Sequence, residues 1–163
     1  MFSPSGPPKA DDVDDRHLLT ICHSDGFGLC IRALRDCASG LVLDHFSGKI
    51  GPQMSQHSLQ VAPGLHIGGT RYIGYLSHGC DPNCRLDMVR FELVACRPIG
   101  AGEILTIDYA ATEDQLFSQF ACACGAENCR HWITGRLDPV SAAGQLHLSA
   151  RDLAARHIAA ASA

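Results

Sequence analysis

Three cysteines, Cys122, Cys124 and Cys129, fall in the pattern C-x-C-x4-C. Zinc takes four soft ligands in a tetrahedron, and thiolates suit it because the metal itself deprotonates them. Three cysteines at this spacing wrap one face of such an ion. Gly125, directly after the second, lets the backbone turn back so that Cys129 reaches the metal. A fourth ligand must come from elsewhere. Cys80 and Cys84 are the leading candidates, since both sit in the polar, proline-containing stretch Cys80-Asp81-Pro82-Asn83-Cys84. Cys22, Cys30, Cys37 and Cys96 lie in or beside apolar runs, where a small buried hydrophobe is the ordinary explanation. His131 follows Cys129 too closely to be preferred as a nitrogen ligand. Four thiolates leave no open position, so the expected ion is structural.

The elements that must position these residues are mostly strands. Leu18 to Cys22, Leu29 to Leu34, Leu41 to Phe46, Leu65 to Gly68, Leu86 to Cys96 and Ile104 to Tyr109 are brief apolar runs broken by Gly, Pro, Asp or Ser. Ser24-Asp25-Gly26-Phe27-Gly28 reads as a turn, and Pro98-Ile99-Gly100-Ala101-Gly102 as a second turn joining two strands in a hairpin. No helical periodicity of useful length appears before residue 111. Near the end, Ser149-Ala150-Arg151-Asp152 has the form of a capping box, and Leu153, Ala154, His157 and Ile158 follow at helical spacing, so a short C-terminal helix is predicted. Residues 1 to 16, rich in Pro, Gly and Ser and then acidic, read as a disordered tail.

Composition narrows the classes. With 46% hydrophobic residues in 163, the chain can bury a core as a single domain with a short appendage. A net charge of −4, from 13 basic and 17 acidic residues, offers no phosphate-tracking surface, and no direct nucleic-acid binding is expected. No apolar run is long enough to span a bilayer, so no membrane partner is expected. The first residues show no basic or apolar signal region, and nine cysteines is an odd number for a secreted disulfide scaffold. Reduced thiols in a cytoplasmic, or in a eukaryote nuclear, compartment fit better.

Two polar signatures remain, Tyr75-Leu76-Ser77-His78-Gly79-Cys80-Asp81-Pro82-Asn83-Cys84 and Gly102-Glu103-Ile104-Leu105-Thr106-Ile107-Asp108-Tyr109. Each alone has a bland reading, as a turn around Asp81-Pro82-Asn83 or a strand end at Asp108-Tyr109. Together, in this order with the cysteine cluster, they resemble the SET-domain family of protein lysine methyltransferases. That family's pattern runs through a GxG turn, a strand ending in Phe and Gly, an NHSCxPN segment, a GEELTxDY segment and a post-SET CxCGxxxxC tail. Here Gly26-Phe27-Gly28, Phe46-Ser47-Gly48, Ser77 to Asn83, Gly102 to Tyr109 and Cys122 to Cys129 take those places, and the resemblance covers about residues 17 to 136.

The resemblance implies a mainly β fold, with short strands in small sheets and a knot-like crossing of the two polar segments at the active site. It divides the chain into a SET domain over 17–110, a post-SET zinc-binding segment over 111–136 and an extension with a short helix over 137–163. It implies that Cys80 is the fourth zinc ligand, and that S-adenosylmethionine sits against Gly26, Phe27 and Gly28, against Ser77 and His78, beside Tyr109, and near Trp132. Tyr109 is the implied catalytic residue, with Tyr75, and then Tyr72, as secondary candidates; the substrate would be a protein bearing the target lysine. His78 is expected to be structural or to touch the cofactor, not to act as a base. Two positions depart from the family: Ser77 stands where it has Asn, and Gly79 where it has Ser. A catalytically silent, zinc-stabilised interaction module is therefore the competing reading.

Overall fold

The computed structural model describes residues 18–161; the N-terminal tail expected over 1–16 lies outside them. Among these described residues twelve short strands and two helices follow one another. They are β1 (Leu19–Ser24), β2 (Gly28–Ala33), β3 (Val42–His45), β4 (Lys49–Gly51), β5 (Leu59–Ala62), β6 (Leu65–Gly68), β7 (Ser77–His78), β8 (Cys84–Asp87), β9 (Glu92–Ala95), β10 (Thr106–Ile107), α1 (Tyr109–Thr112), β11 (Phe120–Ala121), β12 (Trp132–Ile133) and α2 (Ala142–Ala161). A single 3-10 turn, Ile73–Tyr75, precedes β7.

The strands form five small sheets. β1 and β2 make an antiparallel hairpin through the expected turn, closed by the Phe27 N–H on the Ser24 carbonyl at 3.1 Å. Gly28 takes φ 68 there, a conformation glycine adopts without steric cost. β3, β9 and β8 form one sheet in that order, and β4, β6 and β5 another. Their inner faces meet with β2 and the 3-10 turn around Leu19, Ile31, Leu43, Phe46, Ile67, Ile73, Leu93, Ile99 and Leu105.

Three expectations are corrected. The run Leu86 to Cys96 is two strands, β8 and the hairpin partner β9. Asp87 breaks it: its carboxylate accepts from the N–H groups of Val89 and Arg90, both at 3.0 Å, and Phe91 follows at φ 56. The turn at Pro98 to Gly102 exists but closes no hairpin, because β9 pairs with β3 and β8 while β10 pairs with β7. Ile99 instead bridges Cys37, and Ile104 bridges Arg32. Finally, α2 spans 20 residues and starts well before Ser149. Ser141 caps it, its hydroxyl accepting from Gly144 N–H at 3.2 Å, and the alanine-rich sequence favours the helix thereafter.

The segments at the heart of the fold are β7 and β10, which run parallel with Ser77 opposite Thr106 and His78 opposite Ile107. Asn83 locks them. It is 1% exposed, donates to the Ile104 carbonyl at 2.9 Å and the Glu103 carboxylate at 3.0 Å, and accepts from Thr106 N–H at 2.8 Å.

Candidate active site and metal centre

β11 and β12 bring the C-x-C-x4-C loop back on itself, with Cys122 N–H on the His131 carbonyl at 2.8 Å and Gly125 at φ 74. The loop lies against the segment following β7. The sulfurs of Cys80, Cys122, Cys124 and Cys129 all fall within 4.8 Å of one another. A tetrahedron of zinc–sulfur bonds of about 2.3 Å places its sulfurs about 3.8 Å apart, so this donor set fits one zinc ion. Cys80 is further held by an N–H donated from Arg130 to its sulfur at 3.3 Å, and by Asn128, which donates to its carbonyl at 3.0 Å. Partial burial raises the Cys124 thiol, yet the backbone N–H groups of Ala126 and Cys80, together with the neighbouring Cys122 and Cys129 thiols, outweigh this and bring it to about 6. Cys84, the other candidate, is turned into the core, where burial pushes its thiol up to about 12. His131, at φ 63, is no part of the cluster and meets Arg151 at 3.2 Å.

Beside the cluster opens a cleft of about 920 Å³. Its walls come from the β1–β2 turn (Gly26, Phe27, Gly28), from Tyr75 to His78, from Tyr109 and Glu113, and from Phe120 to Cys124. The structure thus brings Gly26, Phe27, Gly28, Ser77, His78, Tyr75 and Tyr109 to one cavity. Its size falls in the range of sites that enclose a small organic ligand. The Ser77 hydroxyl is buried in this wall with no hydrogen-bond partner in the protein.

Tyr109 opens α1, whose N-cap Asp108 accepts from Ala110 N–H at 3.1 Å. The phenol donates to the Leu76 carbonyl at 2.7 Å. Burial, assisted by the nearby Glu113 carboxylate, pushes its pKa up to about 12, so the hydroxyl stays protonated at neutral pH. The His78, Tyr109 and Phe120 rings meet edge to face, with centroids 5.3 to 5.9 Å apart. Burial lowers His78 to about 4, with the pull of Asp108 opposing and the push of Arg130 assisting. The imidazole is neutral, and both nitrogens are engaged: Nδ1 accepts from Tyr109 N–H at 3.3 Å, which leaves Nε2–H to donate to the Cys80 sulfur at 3.4 Å. Histidine thereby joins the thiol cluster to the tyrosine. Arg130 makes a second link, pairing with Asp108 while its backbone holds Cys80.

Two aromatic candidates sit elsewhere. Trp132 is not in the cleft wall; its indole N–H donates to Gln119 at 2.9 Å and its ring lies against His147 of α2. Gly144 permits this, since a β-carbon there would come within 2.4 Å of the indole nitrogen. Tyr72 packs in the core beneath the Arg71 guanidinium. Sequence reasoning missed Glu113 and His57. Glu113 is a buried carboxylate in the cleft wall whose pKa is raised by burial, and it accepts from Gln60 N–H at 2.9 Å. His57 stacks on Tyr75 with ring centroids 4.8 Å apart. The acidic pair Glu113-Asp114 just past Asp108-Tyr109 is the only sequence signal for the first. Gly79 has a packing reason: a β-carbon there would stand 3.0 Å from Thr106 on the neighbouring strand.

Comparison with known proteins agrees with this architecture. The model of the SET domain matches residues 40–110. A methyltransferase of Aspergillus flavus, flvH, is 36% identical over 89 residues, covering 53% of this chain and 50% of that protein. The histone-lysine N-methyltransferase trr of Drosophila melanogaster is 38% identical over 65 residues, which are 36% of this chain and 3% of its own length. The chain therefore spans half or less of the length of these relatives. Among solved structures, KRYPTONITE in complex with mCHG DNA and SAH superposes with a TM-score of 0.57 at 24% identity, over 72% of this chain and 29% of that one, a likeness of fold.

Proposed function

We propose that the chain is a SET-domain methyltransferase, a reading supported by its likeness to that family, and that it uses S-adenosylmethionine to methylate the side-chain amine of lysine in a protein substrate. The observation that carries this reading is the Tyr109 hydroxyl, fixed on the Leu76 carbonyl in a cleft walled by the glycine turn, Ser77 and the thiol-bound loop. Gly26 and Gly28 have no atoms within 4 Å of where a β-carbon would stand, so a ligand can approach the backbone of that turn. Ser77 borders the same cavity, and its buried hydroxyl has no partner in the protein.

When bound, S-adenosylmethionine supplies an electrophilic methyl group whose leaving group, a neutral thioether, needs no proton. What remains for the protein is to present a neutral amine in line with it. A free lysine has a pKa of about 10.4 and is protonated at pH 7. Apolar walls such as Leu116, Phe117 and Phe120 disfavour the ammonium and lower that value. Because the Tyr109 proton is committed to Leu76, the phenolic oxygen is left as an acceptor, able to orient the amine or contact the polarised methyl group. Tyr75 lines the same cavity and serves as a second aromatic wall. Cys80, Cys122, Cys124 and Cys129 would hold the zinc ion, which would fix the loop 120–124 over the cleft in a structural role.

The competing reading, a silent SET-fold module, draws on Ser77, whose side chain is shorter and has fewer donors than the asparagine of the family pattern. Calorimetric titration of the zinc-loaded protein with S-adenosylmethionine separates the two. Saturable one-site binding supports the enzyme, and no heat at millimolar cofactor sinks it.

A further inference from the structure

Cys22 and Cys30 stand directly opposite each other in the β1–β2 hairpin, and their sulfurs are 3.3 Å apart. Neither belongs to the four-cysteine cluster. We propose that this pair is a reversible redox modification site, a dithiol that hydroperoxides convert to a disulfide on the hairpin whose turn lines the cleft.

The backbone is already placed for the bond. Opposed residues in antiparallel strands have α-carbons about 4.5–5.5 Å apart, inside the range of about 4.4–6.8 Å that disulfides span. The sulfurs need only close from contact distance to about 2.05 Å, which side-chain rotation supplies without shifting a strand. The two thiols are also unequal. Cys22 is half-buried and reaches solvent, whereas Cys30 is fully enclosed. Partial burial raises Cys22, but its hydrogen bond with Cys30 and the Arg32 guanidinium outweigh this and lower it, while burial drives Cys30 up to about 11. Cys22 is therefore the nucleophile and Cys30 the resolving thiol.

The steps balance with the hydroperoxide as oxidant. The Cys22 thiolate attacks the terminal peroxide oxygen, the O–O bond breaks, and the leaving oxygen departs as water or an alcohol after taking a proton. Cys22 is then a sulfenic acid. The Cys30 sulfur attacks the Cys22 sulfur, the S–O bond breaks, and hydroxide leaves with the Cys30 proton as water. Two thiols are oxidised and one hydroperoxide is reduced. The new bond fixes the hairpin next to Leu29 and the Gly26 to Gly28 turn, all of them in the cleft wall.

Trypsin tests this directly, because cleavage after Arg16 and Arg32 releases residues 17–32 with both cysteines and no others. The full chain, supplied with zinc, is treated with hydrogen peroxide, denatured, alkylated without reduction and mapped by mass spectrometry. The expected peptide is two hydrogens lighter and unalkylated, and dithiothreitol restores it. Cys30→Ala should halt at a Cys22 sulfenic acid that dimedone traps, and Cys22→Ser should leave Cys30 alkylatable. The exposed Cys96 thiol reports that peroxide has acted. The proposal is overturned if Cys96 is oxidised while residues 17–32 stay doubly alkylated. It is equally overturned if Cys22 passes to sulfinic acid with Cys30 still free.

Discussion

Replacing Asn83 by alanine removes four side-chain hydrogen bonds, the three shortest of which fasten the segment after β7 to the one before β10, while the fourth comes from the Thr106 hydroxyl at 3.4 Å. The bonds to the Ile104 carbonyl at 2.9 Å and from Thr106 N–H at 2.8 Å are neutral and contribute about 1 kcal/mol each. The bond to the Glu103 carboxylate at 3.0 Å is charge-assisted and contributes about 1.5–3 kcal/mol. The side chain is fully buried, so water does not replace these partners, and the expected loss is about 4 kcal/mol. For a chain of this length each kcal/mol lowers the melting temperature by roughly 2–4 °C, giving a fall of about 8–16 °C. Thermal and urea unfolding of the zinc-loaded protein, followed by far-UV circular dichroism, would measure it. Asn83→Asp should do no better at pH 7, because it sets a second carboxylate oxygen against Glu103, and it should recover in part on mild acidification. A loss below about 1 kcal/mol for Asn83→Ala would refute the idea that this residue locks the crossing.

Cys80→Ser should lose zinc, read as metal per chain by elemental analysis, because Cys80 is the only member of the cluster from outside the loop. Cys84→Ser should retain the metal while losing about 1–3 kcal/mol of stability, since it buries a hydroxyl in the core. Gly144→Ala gains about 1 kcal/mol of helix propensity. Its new β-carbon nevertheless strikes the Trp132 ring, so the single tryptophan should shift its emission to the red and net stability should fall. In a 295 nm titration one of the three tyrosines should ionise near 12, and Tyr109→Phe should abolish that component. With a folded value above the unfolded one, the stability this phenol contributes is complete below about pH 10 and is lost as pH rises through 12.

The chemistry-bearing residues were the most legible part of the chain. Soft donors at metal spacing declare themselves wherever they fold, and the four sulfurs do converge. The family pattern chose Cys80 over Cys84; spacing alone left both open, because two thiols four residues apart differ only in which way the backbone turns them. Most of the strands, β10 within Ile104 to Tyr109 included, were visible as apolar runs, whereas β4, β5 and the two-residue β7, β11 and β12 were not, and the pairing of β7 with β10 is locked by Asn83, a contact without periodicity. Asp87 hid a turn inside an apolar stretch, since one carboxylate accepting two N–H groups suffices to reverse the chain. Trp132, which the resemblance placed near the cofactor, lies outside the cleft wall against α2, where Gly144, a residue more than ten positions downstream, leaves room for its ring. Glu113 gained its importance only from burial, which no local pattern encodes.

The most direct test of the proposed activity is methyllysine itself. The zinc-loaded protein is incubated with methyl-labelled S-adenosylmethionine and a lysine-rich protein mixture, which is then hydrolysed to amino acids and separated. Label is expected in methylated lysine, lost on zinc chelation and lowered or altered in methylation state by Tyr109→Phe. Label absent from lysine, in a preparation that binds the cofactor, would contradict it.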